Sequence, residues 1–436
     1  MQNPILRLAI PNILSNITVP LVGIVDLALM GHLDSEIHLN AIAIGGTIFS
    51  FIYMSFGFLR MGTTGFIAQA HGSKDGQKLI HIFSRAMLVA FSIALVLLLA
   101  QVPIGMLSVY LLNAGNDINV LALEYFHIRI FAAPATLGLY AIMGWFIGRQ
   151  DTKTPLFLAL LINLSNVGFN LLFIYVFDMK SDGVAWGTLI AQYIGFITGI
   201  FLIFKRNKEL WKKWNWLMVI EVKELRKFFL INRDIFIRTI LLIITITFFT
   251  SSSAKMGEET LAVNTILFQF FLFFTYFIDG FANAAEALVG KNIGELKGHG
   301  LKILVSKIFI WGLVISLPFA FSYFILGKQL MLILTNIESI INAAGPYFIW
   351  IGLMPILSFA AFIWDGVYVG AMEAKAMRNS MLISSLFVFF PMYFILQPTL
   401  GNHGLWIAFD AFLLSRGIIL HLSARKYIFK TLHGIS

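Results

Sequence analysis

Apolar segments of about 20 residues or more recur along the whole chain, and a segment of that length crosses the hydrocarbon core of a bilayer as an α-helix. Only 12% of the residues are charged and 59% are hydrophobic, with a mean hydropathy of +0.86. Soluble domains carry roughly 25% charged residues. The chain is therefore predicted to be an all-α polytopic membrane protein with almost no soluble part.

The apolar segments divide into about twelve predicted spans. The spans lie near residues 5–31, 41–70, 86–110, 121–148, 155–177, 183–204, 229–253, 259–290, 303–326, 345–371, 379–397 and 403–424. The first span contains Pro11, Pro20 and Asp26 and lacks a short apolar region with a small-residue cleavage site. We therefore expect no cleavable signal peptide.

The basic residues are distributed unevenly among the predicted loops. Most of the 31 Lys and Arg residues lie in alternate loops and at the two ends, whereas the intervening loops hold only Lys180, Lys255 and Lys328. Because cytoplasmic loops carry an excess of Lys and Arg, this alternation predicts that both termini are cytoplasmic. The same alternation accounts for the net charge of +9, so we expect no nucleic-acid partner.

Several kinds of chemistry lack the residues that they require. The chain contains no cysteine, which excludes disulfides, thiolate metal sites and cysteine nucleophiles. It also has no P-loop, no His/Glu zinc spacing and no paired nucleophile and base. We therefore expect that the protein is not an enzyme, and that it has no metal and no cofactor.

An internal repeat divides the chain near its midpoint. Matching landmarks recur 221 to 223 residues apart: Gly57 and Gly280, Gly72 and Gly294, Pro134 and Pro355, Gly144 and Gly366, Gly148 and Gly370, and Gly183 and Gly404. Six spans per repeat give both halves the same orientation, which predicts two pseudo-symmetric six-helix bundles related by an axis along the membrane normal. Such an arrangement is typical of alternating access between outward-facing and inward-facing states.

The repeat predicts three regions. An N-terminal six-helix lobe covers residues 1–204, and a C-terminal six-helix lobe covers residues 229–436. The segment between them, residues 205–228, is rich in Lys and contains Trp211, Trp214 and Trp216. Basic and aromatic residues together favour the lipid headgroup region, so we interpret this segment as a cytoplasmic interfacial linker.

Asp26 is the acidic residue of the first apolar stretch, Ile10–Gly31, which contains no Lys or Arg to neutralise it. A charged side chain at the centre of a membrane helix costs roughly 2.5–3.5 kcal/mol on insertion scales, and such residues usually bind a cation or a proton. Pro20 lies six residues earlier and removes a backbone donor, so we expect a helix hinge there. Asp26 is the predicted ion-coupling residue, with a structural ion pair as the alternative.

A polar set in the N-terminal half consists of Asn163, Asn166 and Asn170 in the fifth predicted span, and Thr188 in the sixth. Asn166 and Asn170 are one turn apart and share a helix face. They could contact a cation or substrate, or they could join helices through hydrogen bonds. Arg60, in the second span, could balance Asp26 or orient the helix end.

The C-terminal half has its own acidic residues within predicted spans. Asp279 and Glu286 are seven residues apart on one helix and face roughly the same way. Together with Asp365 they could form a second cation site or an acidic vestibule. Asp234 and Arg238 are spaced i, i+4, which favours a structural ion pair between them.

Several strings, in the right order and over essentially the whole chain, resemble MATE multidrug exporters and most of all their DinF-like branch. The strings are Gly23-Ile-Val-Asp26-Leu-Ala-Leu-Met-Gly31, the segment from Gly57 to Ala70, Gly183-Val-Ala-Trp-Gly-Thr188, Asn232-Arg233-Asp234, the segment from Asp279 to Gly290, and Trp364-Asp365-Gly366-Val-Tyr-Val-Gly370. The resemblance implies the fold of the MOP superfamily, and Asp26 matches the family's first-helix carboxylate. Some archaeal relatives have a second Asp where this chain has Asn170, and this departure favours H⁺ over Na⁺ as the coupling ion.

The resulting hypothesis is a secondary active multidrug exporter. It would exchange amphipathic, often cationic drugs or dyes against inward H⁺, or with less support Na⁺, and so contribute to antibiotic resistance. We expect a monomeric, multi-pass protein in the lipid bilayer of a prokaryotic cytoplasmic (inner) membrane. The alternative hypothesis is a flippase of a lipid-linked or polysaccharide precursor in the same superfamily.

Overall fold

A computed structural model describes residues 3–31, 36–112, 115–296 and 298–429. Side chains are described for these residues except 19, 21, 22, 24–31, 112, 116, 298 and 299. Across this part of the chain every regular element is helical.

Nineteen α-helices follow one another along the described residues. In chain order they are α1 (Pro4–Gly31), α2 (Glu36–Ser55), α3 (Phe58–Gly72), α4 (Gly76–Leu99), α5 (Gln101–Leu112), α6 (Asn116–Arg129), α7 (Ala133–Gly148), α8 (Lys153–Tyr175), α9 (Ser181–Arg206), α10 (Lys208–Trp211), α11 (Trp216–Val219), α12 (Val222–Lys255), α13 (Glu258–Gly294), α14 (Gly298–Leu334), α15 (Glu338–Ala344), α16 (Phe348–Gly370), α17 (Ala374–Ile383), α18 (Phe390–Leu400) and α19 (Asn402–Tyr427). Short 3₁₀ turns, Ile130–Ala132 and Gly345–Tyr347, precede α7 and α16, and a π-helical segment, Ser384–Phe389, joins α17 to α18.

Eleven segments of the described residues are long and apolar enough to cross a membrane. The helix α1 adds a twelfth, because its 28 residues extend about 42 Å at 1.5 Å per residue. The chain is therefore a multi-pass membrane protein, and the predicted all-α fold with about twelve spans is confirmed. Spans form as helices because a bilayer offers no water to satisfy the backbone polar groups.

Packing divides the chain into two units. One comprises Leu14–Phe228, and the other combines the described residues before Leu14 with those from Phe229 onward. The first turns of α1 thus pack with the C-terminal helices, whereas residues 205–228 pack with the N-terminal ones. Each unit contains six spanning helices when α1 is counted with the first.

The linker that we expected at the headgroup region is attached to α4. The buried guanidinium of Arg85 donates hydrogen bonds to the backbone carbonyls of Met218 and Val219, the latter at 2.9 Å. The same guanidinium lies 3.7 Å from the carboxylate of Glu224. Nearby, the Trp214 indole donates to the Ser84 hydroxyl at 3.1 Å. Polar groups of the linker are therefore satisfied by one spanning helix.

The glycines of the internal repeat occupy matching positions in the two units. A Cβ added to Gly144 or Gly148 of α7 would lie 2.8 Å from a backbone oxygen of α3. A Cβ added to Gly366 or Gly370 of α16 would likewise meet backbone oxygens of α13. Small residues allow membrane helices to approach backbone to backbone. The repeat seen in the sequence therefore corresponds to one helix-packing arrangement built twice.

Candidate functional site

The predicted ion-coupling residue, Asp26, lies in α1, which is helical from Pro4 through Pro20 to Gly31. The side chain of Asp26 lies outside the described residues, so its role stays a prediction. The hinge at Pro20 also stays a prediction. Because proline has no backbone N–H, the helix lacks one intrahelical hydrogen bond at this point.

A side chain of α8 is bonded to α1 close to Pro20. The amide nitrogen of Asn163 donates to the backbone carbonyl of Thr18 at 3.0 Å. Thr18 lies two residues before the proline, in the same weakened turn. The structure therefore brings Asn163 to the predicted hinge, where its amide supplies a donor from a neighbouring helix.

The remaining N-terminal polar residues form a hydrogen-bonded chain with a defined direction. The Asn170 amide nitrogen donates to Asn166 Oδ1 at 3.3 Å, and the Asn166 amide nitrogen donates to the Thr188 hydroxyl at 3.0 Å. The Thr188 hydroxyl in turn donates to the Val184 carbonyl at 2.9 Å. Asn166 and Asn170 are buried. We call Asn163, Asn166, Asn170 and Thr188 the amide network.

A glycine of α9 makes room for the end of the amide network. The Oδ1 atom of Asn170 occupies the space that a Cβ at Gly187 would require. Any larger residue at Gly187 would push α9 away from α8 or displace the Asn170 amide. The close approach of these two helices and the position of the amide therefore depend on each other.

Helix rise indicates that the Asn170 end of the amide network is level with the backbone of Asp26. Both α1 and α8 begin on the side of the basic loops, so they run in the same direction. Asp26 is eight residues beyond Thr18, and Asn170 is seven residues beyond Asn163. At 1.5 Å per residue these positions are about 12 and 10.5 Å from the Asn163–Thr18 contact. The backbone of Asp26 is thus level with Asn170.

Arg60 lies in α3, where its backbone carbonyl accepts a hydrogen bond from the Thr64 hydroxyl at 2.9 Å. The neighbouring helix α7 carries the hydroxyl of Tyr140. That hydroxyl donates to the Tyr53 carbonyl at 3.2 Å. Arg60 therefore lies on a helix that packs against α7, and its action on Asp26 or on the helix end stays a prediction.

In the C-terminal unit, Asp365 is held by two arginines. Its Oδ2 atom accepts hydrogen bonds from the Arg238 guanidinium and from that of Arg416, the latter at 2.6 Å. All three side chains are buried. A carboxylate already bonded to two guanidinium groups has little capacity left for a cation, so this geometry favours a structural ion network.

The other predicted member of the C-terminal acidic site, Glu286, is buried in α13. At this turn Gly370 of α16 approaches the backbone, and a Cβ on Gly370 would lie 2.6 Å from the Glu286 carbonyl. Among the described residues, no three His, Asp or Glu side chains gather as a set of metal ligands. The predicted cation site at Asp279, Glu286 and Asp365 remains a prediction.

The predicted ion pair between Asp234 and Arg238 is wrong. Asp234 instead pairs with Arg378 of α17 at 2.7 Å and with its neighbour Arg233 at 3.1 Å. Arg238 pairs with Asp365 of α16. The i, i+4 spacing permits an ion pair within α12, but each of the two side chains pairs with a residue of another helix.

Sequence analysis assigned no role to Asp410, which the structure shows to be unusual. This residue of α19 is 3% exposed, and neither carboxylate oxygen has a hydrogen-bond partner in the described part of the chain. The signal that singled out Asp26, an acidic residue within a predicted span, applies equally to Asp410.

Comparisons with known proteins agree with this architecture. The MatE family model matches residues 11–176 and 235–395. DNA damage-inducible protein F of Escherichia coli is 33% identical over 97% of this chain and 91% of its own length. Multidrug resistance protein NorM of Photobacterium profundum is 23% identical over 97% and 94%. A solved outward-facing multidrug resistance MATE transporter of the MOP superfamily superposes with a TM-score of 0.88 at 18% identity, over 99% of this chain and 96% of that one.

Proposed function

The chain belongs to the MATE family, and from this premise we propose that it is a multidrug exporter that exchanges amphipathic, often cationic organic compounds for inward-moving H⁺. As a family member it is a transporter of the MOP superfamily and not an enzyme. The proposed orientation has both termini in the cytoplasm, in agreement with the alternation of basic loops.

The amide network beside α1 is the observation that carries this proposal. Its members are amides and a hydroxyl, which keep their charge state over the physiological pH range, so any change of charge at this depth must come from Asp26. An ionised carboxylate requires hydrogen-bond donors, whereas a protonated one requires fewer. Protonation of Asp26 would therefore change which contacts α1 makes, and the Asn163–Thr18 hydrogen bond is the fixed point next to Pro20.

The residue types at this depth support H⁺ as the coupling ion. A hard metal cation needs several oxygen ligands, commonly including more than one carboxylate. Position 170 carries an amide, and the Asn170 and Asn166 side chains already bond to each other. A proton needs only one carboxyl group, which Asp26 provides.

The substrate class is proposed from the relatives and the composition. The Photobacterium protein is named for multidrug resistance, and a zebrafish relative, 23% identical over 93% of this chain and 69% of its own length, for multidrug and toxin extrusion. The present chain contains 43 Phe and 16 Met. Aromatic and thioether surfaces adapt to ligands of different shape, as an exporter of varied amphipathic compounds requires.

The test is uptake of a cationic fluorescent dye into everted membrane vesicles under an imposed ΔpH or an imposed Na⁺ gradient. We expect ΔpH alone to drive uptake by the wild type, and Asp26→Asn to abolish it at equal expression. Asp178→Asn is the matched control, because Asp178 is exposed in the loop between α8 and α9. Its backbone is left-handed (φ 54°), a conformation that Asn also tolerates.

Three other results would contradict the proposal. Full transport by Asp26→Asn would show that Asp26 is not required for ion coupling. Uptake driven by the Na⁺ gradient alone would show that the coupling ion is Na⁺ and not H⁺. No gradient-driven movement of any cationic dye by folded protein would favour a flippase of lipid-linked precursors.

A further inference from the structure

Asp410 lies in a surrounding that suits the neutral acid and not the carboxylate. Its side chain is 3% exposed, and both oxygens lack a hydrogen-bond donor among the residues that the structure describes. Burying an ionised carboxylate without a partner costs far more than burying the neutral acid, so such a group takes up a proton instead. Asp365 shows the contrast, since two guanidinium groups hold it as a carboxylate in the same unit.

The face of α19 that carries Asp410 packs against α16. Gly417 lies seven residues further along, which places it on the same face two turns away. A Cβ on Gly417 would lie 3.2 Å from the Cβ of Ala360 in α16. Phe409, directly before Asp410, and Trp406, one turn earlier, are both fully buried. The carboxyl group is therefore enclosed by a helix interface.

Several charged groups of the elements packed against α19 have partners other than Asp410. On α12, which contacts α19 through Phe249 and Phe409, Arg238 is bonded to Asp365, and Asp234 to Arg378. On α13, which contacts α19 through Phe271, the acidic residues within the span are Asp279 and Glu286. On α16, Asp365 is bonded to Arg238 and to Arg416. On α17, Arg378 pairs with Asp234, and Lys375 is exposed.

Further titratable groups on these elements include tyrosines and histidines, and α19 ends with Arg425, Lys426 and Tyr427, about four turns from Asp410. The Tyr368 hydroxyl on α16 donates to the Leu420 carbonyl, and Tyr393 of α18 packs against Phe248. On α19 itself, His403 accepts a hydrogen bond from the Trp350 indole, and His421 packs against Trp364. None of these contacts involves the carboxyl group of Asp410.

A second feature marks the same part of α19. The π-helical segment Ser384–Phe389 packs against α19 through Phe389 and Phe412, whose ring centroids are 6.1 Å apart. The buried Ser384 hydroxyl also has no hydrogen-bond partner within the described residues. Single π-helical turns inside α-helices occur frequently at functional sites, because they shift the register of one helix face.

We propose that Asp410 is a second proton-binding site, in the C-terminal unit and separate from Asp26. The carboxyl group holds its proton while α19 is packed against α16, and it releases the proton to water when this interface admits solvent. The use of that proton in transport rests on the function proposed above, whereas the binding of the proton does not.

The direct test is infrared spectroscopy of the purified full-length protein in lipid nanodiscs at neutral pH. A protonated carboxylic acid has a carbonyl stretching band that a carboxylate lacks. We expect part of this band to be missing in Asp410→Asn and to be retained in the control, Asp178→Asn. Any component that is lost in Asp26→Asn should differ from the component lost in Asp410→Asn. A spectrum of Asp410→Asn identical to that of the wild type would overturn the proposal.

Thermal unfolding as a function of pH gives an independent readout. A carboxyl group that stays protonated in the folded state binds more protons there than in the unfolded state, so stability falls as pH rises. We expect the wild type to lose stability with rising pH over a range in which Asp410→Asn does not, with Asp410→Ser as a second neutral variant should Asn misfold. Identical profiles for the wild type and both variants would overturn the proposal.

These readouts separate this inference from the proposed function. An infrared component that belongs to Asp410, combined with dye uptake driven only by Na⁺, supports the proton site and overturns H⁺ coupling. Uptake driven by ΔpH and lost in Asp26→Asn, with no component from Asp410, supports the proposed function and overturns the second site.

Discussion

Three intramembrane carboxyl groups of this protein differ in what neutralises them. Asp365 accepts hydrogen bonds from two arginines, Asp234 is paired with Arg378 and Arg233, and Asp410 has no partner among the described residues. A buried charge must be paired or discharged, because the low-dielectric interior does not solvate it. The same residue type therefore serves as a structural anchor at two positions and suits proton binding at the third.

The ion network at Asp365 leads to a prediction about stability. Asp365→Asn leaves two buried guanidinium groups without their counter-charge, and breaking a buried ion pair costs about 3–5 kcal/mol. We expect a clearly lower melting temperature in detergent or nanodiscs, with Asp178→Asn unchanged as the exposed control. A variant with wild-type stability that had lost ion-dependent transport would instead support the cation site predicted from the sequence.

At the scale of helices, the contact between α8 and α9 couples packing to the amide network. Gly187 permits α9 to lie against the Asn170 amide, and the Asn166–Thr188 hydrogen bond connects the same two helices. Neither contact follows from the length or the hydropathy of the two helices. Both depend on one position in α9 having no side chain.

This contact predicts a contrast between two glycines. Gly187→Ala places a methyl group on the Asn170 oxygen, and overpacking of this kind costs about 1–3 kcal/mol. Gly168→Ala in α8 is the control, because a Cβ there meets nothing within 4 Å and Ala favours the helix by up to about 1 kcal/mol. We expect a lower melting temperature and reduced dye efflux for Gly187→Ala alone. Equal behaviour of the two variants would show that the close approach is unimportant.

At the scale of the whole molecule, the chain passes between its two units through residues 205–228, which pack with the N-terminal unit. The attachment depends on Arg85, which is buried in α4 and bonded to the linker carbonyls of Met218 and Val219. Loss of this guanidinium would remove its hydrogen bonds to these two linker carbonyls and so weaken the attachment.

We therefore predict that Arg85→Gln exposes the linker. Limited proteolysis with a lysine-specific protease should cut within residues 205–228 several-fold faster than in the wild type. Arg226→Gln is the matched control, since Arg226 is exposed in the same segment and its replacement leaves every lysine cleavage site intact. Equal cleavage rates for the wild type and Arg85→Gln would indicate that other contacts hold the linker.

Local sequence patterns are sufficient to identify the spans, the repeat and the polar residues within the membrane helices. Spans can be identified from sequence because each segment that crosses the hydrocarbon core must hydrogen-bond its own backbone N–H and C=O groups. This requirement is local to about 20 residues. The repeat is readable because Gly144 and Gly366 meet the same packing requirement in the two units. Hydrogen bonds join Asn166, Asn170 and Thr188, two of which share one helix face while the third lies on the next helix.

Only the tertiary structure decided which charges meet. Arg238 is four residues from Asp234 in sequence, yet it bonds to Asp365, and Asp234 bonds to Arg378. Helix spacing shows which side chains could pair along one helix, but the strength of a buried pair depends on the approach of other helices that no local pattern encodes. The lack of a hydrogen-bond partner for Asp410 among the described residues also depends on tertiary packing, because it is set by all the elements around α19.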